Sequence, residues 1–206
     1  SRVAREGPPG PFRPSWRLCR REWAPWWCCL RCACVRIRKN KQTVLYIGRL
    51  VKRKRVDLII KSAKYLAHTR FLIIGEGIER KNLQKIAPKN VEFLGFIANT
   101  KPYLESSDLF VTLSEAEGGF LLSALEAASF SMPLILSKSA CGPLIKNGVN
   151  GYILDAPSPE ILAEKIKSAL KISRKMGKIS RKIAGKLTWR KCALETVRFY
   201  QLLYKL

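Results

Sequence analysis

The chain has 206 residues, of which 47% are apolar and 26% are charged, a composition typical of a globular protein with one domain and a tail. The 39 Lys and Arg residues outnumber the 15 Asp and Glu residues, so the formal charge is +24. This charge calls for an anionic partner, such as a nucleic acid, an acidic membrane surface or a phosphorylated small molecule. No stretch reaches the roughly 18 uninterrupted apolar residues of a membrane-spanning helix, and the N-terminus lacks the apolar core of a signal peptide. We therefore expect a cytoplasmic protein.

Residues 1–42 form an Arg-, Trp- and Cys-rich segment whose composition differs from that of the remaining chain. Five of the seven cysteines lie in it: Cys19, Cys28, Cys29, Cys32 and Cys34. Cys29 and Cys32 have the spacing of half a zinc knuckle, but a zinc site needs four ligands and His68 is distant. The alternatives are an interfacial membrane anchor and a disordered or foreign extension. We favour the extension, because the preferred basic residue changes from Arg to Lys after this segment.

From residue 43 onward, short apolar runs alternate with amphipathic segments. Six runs predict buried strands: 44–47, 71–74, 91–94, 109–113, 134–136 and 152–154. Helical spacing of apolar residues predicts helices at Val56, Ile59, Ile60 and Ala63, and at Leu162, Ile166, Ala169 and Leu170 behind the helix start Ser158-Pro159-Glu160. Repeated strand–helix units predict an α/β fold, with a Rossmann-like parallel sheet covered by helices on both faces.

Glycines and polar residues recur where the predicted strands end. They follow the first five strands: Gly48-Arg49, Gly75-Glu76-Gly77, Gly95-Phe96, residues 114–119 and residues 137–142. Each glycine alone has a structural explanation, since strand-to-helix turns often need a positive φ. In open α/β sheets, however, ligands bind at the carboxyl ends of the strands. The recurrence therefore favours a binding crevice at this edge.

Two features near this edge suit a diphosphate. Arg49 and Lys54 lie between the first strand and the first helix, where a guanidinium and an ammonium group can contact phosphate oxygens. The other basic residues of this stretch are expected to be solvated surface charges: Lys52, Arg53 and Arg55. Farther along, the residues Glu117-Gly118-Gly119-Phe120 run into a helical stretch. Glycines before a helix let a phosphate approach the free N–H groups at the positive end of the helix dipole.

These motifs, taken in order, resemble the C-terminal domain of family-four retaining glycosyltransferases of the GT-B type, also called glycosyl transferases group 1. The resemblance rests on GRLVKRKRVDLII, FLIIGEGIERKNL, VEFLGF, SSDLFVTLSEAEGGFLLSALEAASFSMPLILS and NGVNGYIL, and it covers the chain from about residue 43 to its end. The last stretch, LTWRKCALETVRFYQLLYKL, is similar to the closing helix of that family. Its apolar face is expected to comprise Trp189, Ala193, Val197, Tyr200 and Tyr204.

The resemblance implies roles for individual residues. Arg49 and Lys54 would neutralise the donor diphosphate and, with Glu117 at the donor sugar, form the catalytic set. Phe96 would lie beside the base, and Glu126, expected to be buried, would accept hydrogen bonds from the ribose hydroxyls. The remaining donor-binding residues would be Gly48, Gly75, Gly77, Gly118, Gly119, Phe120 and Leu121. No Asp-x-Asp occurs, so we expect no metal ion and no other cofactor.

Three departures from the family pattern stand out. Glu117 and Glu126 are separated by eight residues instead of seven. A longer loop at Gly118-Gly119 would keep Glu126 in place, and the alternative is that Glu117 is misplaced. Arg55 stands where the family usually has glycine. Pro143 stands where an acidic residue usually precedes the motif NGVNG.

The resemblance covers one half of a two-domain enzyme, and residues 1–42 are too few to form the other half. We expect a donor domain, 43–206, that is inactive without an acceptor-binding domain or partner subunit. A non-catalytic nucleotide-sugar-binding or regulatory subunit is the alternative. A nucleic-acid partner is not expected, because the sequence has no recognition motif for one. Peripheral association with an anionic membrane surface fits the charge.

Overall fold

The computed structural model describes residues 41–115, 121–155 and 157–204. The five N-terminal cysteines and the proposals for residues 1–40 lie outside this range. The described residues form six strands: β1 Thr43–Ile47, β2 Arg70–Ile74, β3 Val91–Gly95, β4 Leu109–Thr112, β5 Leu134–Ser137 and β6 Gly151–Leu154. They also form seven α-helices: α1 Val56–Ser62, α2 Arg80–Ile86, α3 Lys101–Ser106, α4 Leu122–Ser129, α5 Pro159–Lys171, α6 Ser173–Ala184 and α7 Trp189–Leu203.

The six strands form one parallel sheet in the order β3-β2-β1-β4-β5-β6. This is the strand order of a doubly wound Rossmann sheet, in which the direction of winding reverses between β1 and β4. All six predicted strands are confirmed, each with one end that differs by a single residue. The edge at which the strands end, called the carboxyl edge below, therefore has a crevice between β1 and β4.

Helices cover both faces of the sheet, because successive residues of each strand point to opposite sides. On one face, Val44 and Tyr46 of β1 pack in a core that includes apolar residues of α1 and α5. On the other face, Leu45 packs in a second core with residues of α3 and α4. The predicted α/β class, with a parallel sheet and helices on both faces, is confirmed.

The sequence signals for α1 and α5 also hold. The residues predicted to form the apolar stripe of the first helix are at most 2% exposed, and those of α5 at most 4%: Val56, Ile59, Ile60, Ala63, Leu162, Ile166, Ala169 and Leu170. Of these, Ala63 caps the C-terminal end of α1. α5 begins where expected, with the Ser158 hydroxyl accepting a hydrogen bond from the backbone N–H of Ile161 at 3.3 Å and Pro159 in the first turn.

α7 differs from the other helices in having no buried residue. Four residues of its predicted apolar face have exposed side chains: Trp189 at 79%, Val197 at 53%, Tyr200 at 55% and Tyr204 at 90%. None of the helices in the described ranges combines the length and the apolar composition needed to cross a membrane.

Candidate functional site

Three loops continue side by side beyond the carboxyl edge. The backbone N–H of Gly48, after β1, donates to the carbonyl of Ile74 at 3.0 Å, and that of Leu50 donates to Glu76 at 2.8 Å. The N–H of Gly75, after β2, donates to the carbonyl of Gly95 at 2.8 Å. The glycines predicted after the first three strands are therefore brought together.

Close backbone approach explains why two of these positions are glycine. A Cβ atom on Gly75 would lie 1.9 Å from the carbonyl oxygen of Gly48, and the φ of Gly75 is +135°. A Cβ atom on Gly77 would lie 2.2 Å from the carbonyl oxygen of Leu50. Contacts this short are sterically forbidden, so both glycines are required to seat the loop after β1 against the loop after β2. The structural explanation therefore holds for both glycines, and their role in lining the nucleotide crevice stays a prediction.

Tyr46, which no motif in the sequence marks as part of a site, positions the backbone of Arg49. Its side chain is only 1% exposed, and its hydroxyl donates a hydrogen bond to the Arg49 carbonyl at 3.0 Å. A Cβ atom on Gly48 would lie 2.8 Å from that hydroxyl, so the glycine leaves room for the Tyr46 hydroxyl to reach the Arg49 carbonyl. A Tyr at the second-last position of a strand is typical of core packing, and this concealed its second role. The Arg49 side chain is exposed at the carboxyl edge.

Lys54 ends a single 3₁₀ turn, Lys52–Lys54, on the path from β1 to α1, and its side chain is half-buried. The next residue, Arg55, has the left-handed conformation φ 47°, ψ 38° and forms the N-terminal cap of α1. Glycine adopts this conformation at least cost. Arg55, which stands where the family usually has glycine, therefore keeps the left-handed backbone conformation that a glycine would favour.

Arg55 joins the two sides of the β1/β4 crevice. Its Nη1 lies 2.7 Å from Oε1 of Glu115, just after β4, and its Nε lies 3.7 Å from Oδ1 of Asp57. The hydrogen bond to Glu115 raises the pKa of Arg55. The backbone N–H of Glu115 also donates to the carbonyl of Arg53 at 2.8 Å. The expectation that Arg55 is only a solvated surface charge is therefore wrong.

A cleft of about 470 Å³ opens at the carboxyl ends of β4, β5 and β6. Arg55 and Glu115 lie at one side of it and Lys138 and Asp155, whose charged atoms are 3.3 Å apart, at the other. The buried Ser114 contributes a carbonyl that accepts a hydrogen bond from Ser137 Oγ at 2.5 Å. None of the described residues assigned to the donor lines this cleft. Arg49, Gly75 and Phe96 instead follow β1, β2 and β3, on the neighbouring part of the carboxyl edge.

Two apolar side chains are exposed to solvent on this neighbouring part of the carboxyl edge. Phe96, directly after Gly95, is 78% exposed, and Ile78, after Gly77, is 83% exposed. Exposed large apolar residues beside a polar crevice are suited to contact a planar group. This placement is compatible with Phe96 lying beside a base, which stays a prediction.

Glu126 lies on α4 and is exposed, so the expectation that it is buried is wrong. Ala124, Ala127 and Ala128 form the buried face of α4, and a residue two positions after Ala124 lies on the opposite side of a helix. Leu121 is the N-terminal cap residue of α4. The loop before it carries residues that lie outside the described ranges, so their predicted roles stay predictions: Glu117, Gly118, Gly119 and Phe120.

Metal ligands do not cluster in the described part of the chain. Within residues 41–115, 121–155 and 157–204, no group of three or more His, Cys, Asp or Glu side chains could hold a metal ion.

Comparison with models of protein families identifies the family to which this domain belongs. The model of glycosyl transferases group 1 matches residues 34–185, which is most of the chain. The chain belongs to this family. A relative, the uncharacterized glycosyltransferase MJ1178 of Methanocaldococcus jannaschii, is 26% identical over 167 residues, which make up 76% of this chain and 47% of the relative. The chain thus spans about half the length of this glycosyltransferase.

Solved structures agree on the fold of this group 1 domain. The pneumococcal O-GlcNAc transferase GtfA, solved with UDP and GlcNAc, superposes with a TM-score of 0.69 at 24% identity, over 80% of this chain and 36% of that protein. HepE of Anabaena, solved with UDP and glucose, gives a TM-score of 0.70 at 20% identity, over 81% of this chain and 49% of that protein. These matches support the assignment of the fold to one half of a GT-B glycosyltransferase.

Proposed function

We propose that this chain is the donor-binding half of a retaining glycosyltransferase that takes a nucleoside diphosphate sugar. The carrying observation is the strand order of this group 1 Rossmann-like domain, which reverses between β1 and β4, together with the position of Arg49 and Lys54 in the segment that follows β1. Both follow β1, at the point where the strand order reverses and where open α/β sheets bind ligands. The relatives GtfA and HepE, solved with UDP, support the choice of donor class.

The proposed chemistry is electrostatic. When the bond between the sugar and the diphosphate breaks, negative charge grows on the leaving diphosphate. A guanidinium and an ammonium group fixed nearby stabilise that charge more in the transition state than in the bound donor, which accelerates the reaction. Glu117 would contact the donor sugar and Glu126 the ribose hydroxyls.

The acceptor side of the active site would come from another domain or a partner subunit. The chain spans less than half of the full length of MJ1178, GtfA and HepE. The uncovered apolar face of α7 supports a missing partner surface, since large contiguous apolar faces in solvent are rare on complete proteins. Because transfer needs the acceptor hydroxyl held against the donor carbon, we propose that the chain alone transfers no sugar.

A second candidate is a non-catalytic nucleotide-sugar-binding or regulatory subunit. The longer spacing between Glu117 and Glu126 and the Pro143 substitution favour it. The two candidates differ in one experiment, in which a labelled nucleotide sugar and membrane extract are mixed with the chain and with the acceptor half of a relative. Transfer that appears only when both halves are present supports the enzyme, and no transfer with both halves supports the binding subunit. Transfer by the chain alone contradicts the half-enzyme proposal.

Donor binding itself should not need a metal ion, because basic side chains and the N-terminus of α4 supply the positive charge. We expect the chain to bind one of UDP-, GDP- or ADP-linked sugars in calorimetry with a chelator present. Addition of magnesium should leave the affinity unchanged. Binding that appears only with magnesium or manganese would contradict this proposal.

Replacement of Glu126 should weaken donor binding without affecting the fold. Glu126→Ala leaves the ribose hydroxyls without an acceptor, a loss on the order of 1–3 kcal/mol in binding free energy. Because Glu126 is exposed, the free energy of unfolding should change by less than about 0.5 kcal/mol. Calorimetric titration and thermal unfolding measure the two effects separately. If Glu126→Ala binds as well as the parent chain, the assigned role is wrong.

We also propose that the chain acts on the cytoplasmic side of a membrane and associates with it peripherally. The net charge of +24 supports attraction to anionic lipids.

A further inference from the structure

The positive charge of the chain is concentrated in one long stretch. No acidic residue occurs between Glu164 and Glu195, whereas eleven basic residues do: Lys165, Lys167, Lys171, Arg174, Lys175, Lys178, Arg181, Lys182, Lys186, Arg190 and Lys191. This stretch includes all of α6. It follows β6 in the chain, whereas Arg49 and Lys54, the basic residues proposed to bind the donor diphosphate, follow β1, so the proposed diphosphate site does not use these charges.

α6 presents its basic residues on one face. Five exposed residues share it: Arg174, Lys175, Lys178, Arg181 and Lys182. Their spacings of three, four and seven residues place them on one side of a helix. The buried residues of α6 lie on the other side: Met176, Gly177, Ser180 and Ala184. We call the five exposed residues the α6 basic face.

The orientation of this face is fixed by contacts on the buried side. Ser180 exchanges hydrogen bonds with the buried Asn150, one from Asn150 Nδ2 to Ser180 Oγ and one from Ser180 Oγ to the Asn150 carbonyl, both 3.2 Å. At Gly177, a Cβ atom would lie 1.8 Å from the carbonyl oxygen of Ser131, so the helix is seated against the turn after α4. α6 therefore cannot rotate, and the basic face points outward.

The charges of this face have no acidic partners in the described part of the chain: none of the ion pairs found there includes one of the five residues. Like charges spaced by four residues, as at Arg174, Lys178 and Lys182, destabilise a helix. An anionic surface that neutralises them would remove this repulsion. At about 0.1 M salt the Debye length is about 10 Å, and α6 is about 18 Å long, so the five charges attract such a surface together.

The shape of the face favours a membrane over a nucleic acid. Proteins that bind single-stranded nucleic acid usually combine a basic groove with aromatic side chains on which bases stack. The α6 basic face is instead the convex side of a helix, and it carries neither aromatic nor amide side chains. Clusters of four to eight Lys and Arg residues on an amphipathic helix are typical of sites for anionic lipids. We propose that the α6 basic face binds the anionic headgroups of a lipid bilayer and is the surface through which the proposed membrane association occurs.

Vesicle binding by the full chain tests this assignment. The α6 variant carries Arg174→Gln, Lys178→Gln, Arg181→Gln and Lys182→Gln. The control variant removes the same number of charges from exposed lysines elsewhere: Lys64→Gln, Lys81→Gln, Lys85→Gln and Lys89→Gln. Sedimentation with phosphatidylcholine vesicles, with and without phosphatidylglycerol, measures the partition coefficient.

We expect the parent chain to bind only the vesicles that contain phosphatidylglycerol. The α6 variant should partition at least about tenfold less strongly and the control variant less than about threefold less strongly, because lysines distant from the bilayer contribute little. The α6 variant should unfold at about the same temperature as the parent, because it loses both the repulsion between like charges and the favourable interaction of Arg181 and Lys182 with the C-terminal end of the helix dipole.

Three results would overturn the assignment. If the two variants lose binding equally, the membrane association is general and α6 is not its site. If the parent binds neither kind of vesicle, the membrane association itself is wrong. The partner is a nucleic acid if polyuridylate RNA displaces the parent chain from the vesicles. The RNA would then have to bind the chain through the same four residues and more tightly than the vesicles do. Nucleotide-sugar binding by the α6 variant should equal that of the parent, so these results leave the donor proposal untouched.

Discussion

Gly75→Ala is expected to lower the free energy of unfolding by about 3–5 kcal/mol, a large effect for a single added methyl group. Two costs combine. The new Cβ atom would lie 1.9 Å from the Gly48 carbonyl oxygen, and the backbone would have to hold an alanine at φ +135°. For a protein of this size, such a loss lowers the unfolding temperature by about 6–20 °C.

Two matched variants separate these costs. Gly148→Ala has a φ of +74° but no atom within 4 Å of the new Cβ, so it should lose only about 1–2 kcal/mol from backbone strain. Gly77→Ala has the close approach, at 2.2 Å, without a positive φ, and should fall between the other two. Thermal and denaturant unfolding of the three variants measure the series. A cost for Gly75→Ala no greater than that for Gly148→Ala would refute the close approach of the two loops.

The combined change Arg49→Ala and Lys54→Ala is expected to weaken donor binding about 10²–10⁴-fold. Each charge-assisted hydrogen bond to a phosphate contributes about 1.5–3 kcal/mol, and each tenfold change in affinity corresponds to about 1.4 kcal/mol. Calorimetric titration with the nucleotide sugar that the parent chain binds gives both affinities. The loss should shrink as salt rises, because screening weakens the attraction in the parent.

The control for this experiment removes the same charge from another part of the sheet. Lys85 and Lys89 are exposed and precede β3, at the edge opposite the carboxyl edge. Lys85→Ala with Lys89→Ala should change the affinity less than about threefold, because the edges are farther apart than the screening distance of about 8–10 Å. An equal loss in the two double variants would mean that only the overall field attracts the donor, and Arg49 and Lys54 would lose their assigned role.

The sequence predicted the sheet well because burial imposes a simple pattern. A strand covered on both faces must be apolar throughout. Consecutive apolar residues, which include Phe71, Phe110 and Ile135, therefore indicate the buried strands from the local sequence. Glycines at the strand ends indicated the edge of the sheet at which the loops meet. These patterns involve only residues that are close together in the sequence, so they can be recognised in a single sequence.

The site was less predictable where it depends on partners distant in sequence. The ion pair of Arg55 and Glu115 joins residues 60 positions apart, and neither residue type indicates the pairing. Tyr46 was concealed by its place in a strand, although its hydroxyl holds the Arg49 carbonyl. The burial of Glu126 was predicted from its expected ligand, whereas the alanines of α4 decide which side of that helix faces the core.

The absence of buried residues in α7 has a consequence for how the chain unfolds. An isolated helix of 15 residues is marginally stable in water, because forming the first turn is costly. α7 has little core contact to add to that, so its backbone amides should exchange with deuterated solvent much faster than those of β1 or β4, which are buried on both faces. Its opening would then be a local event that leaves the sheet intact. A partner that covers the apolar face would order the helix as it binds, and part of its binding free energy would be spent on that ordering. Slowed amide exchange confined to α7 would therefore reveal such a partner without a label on either protein.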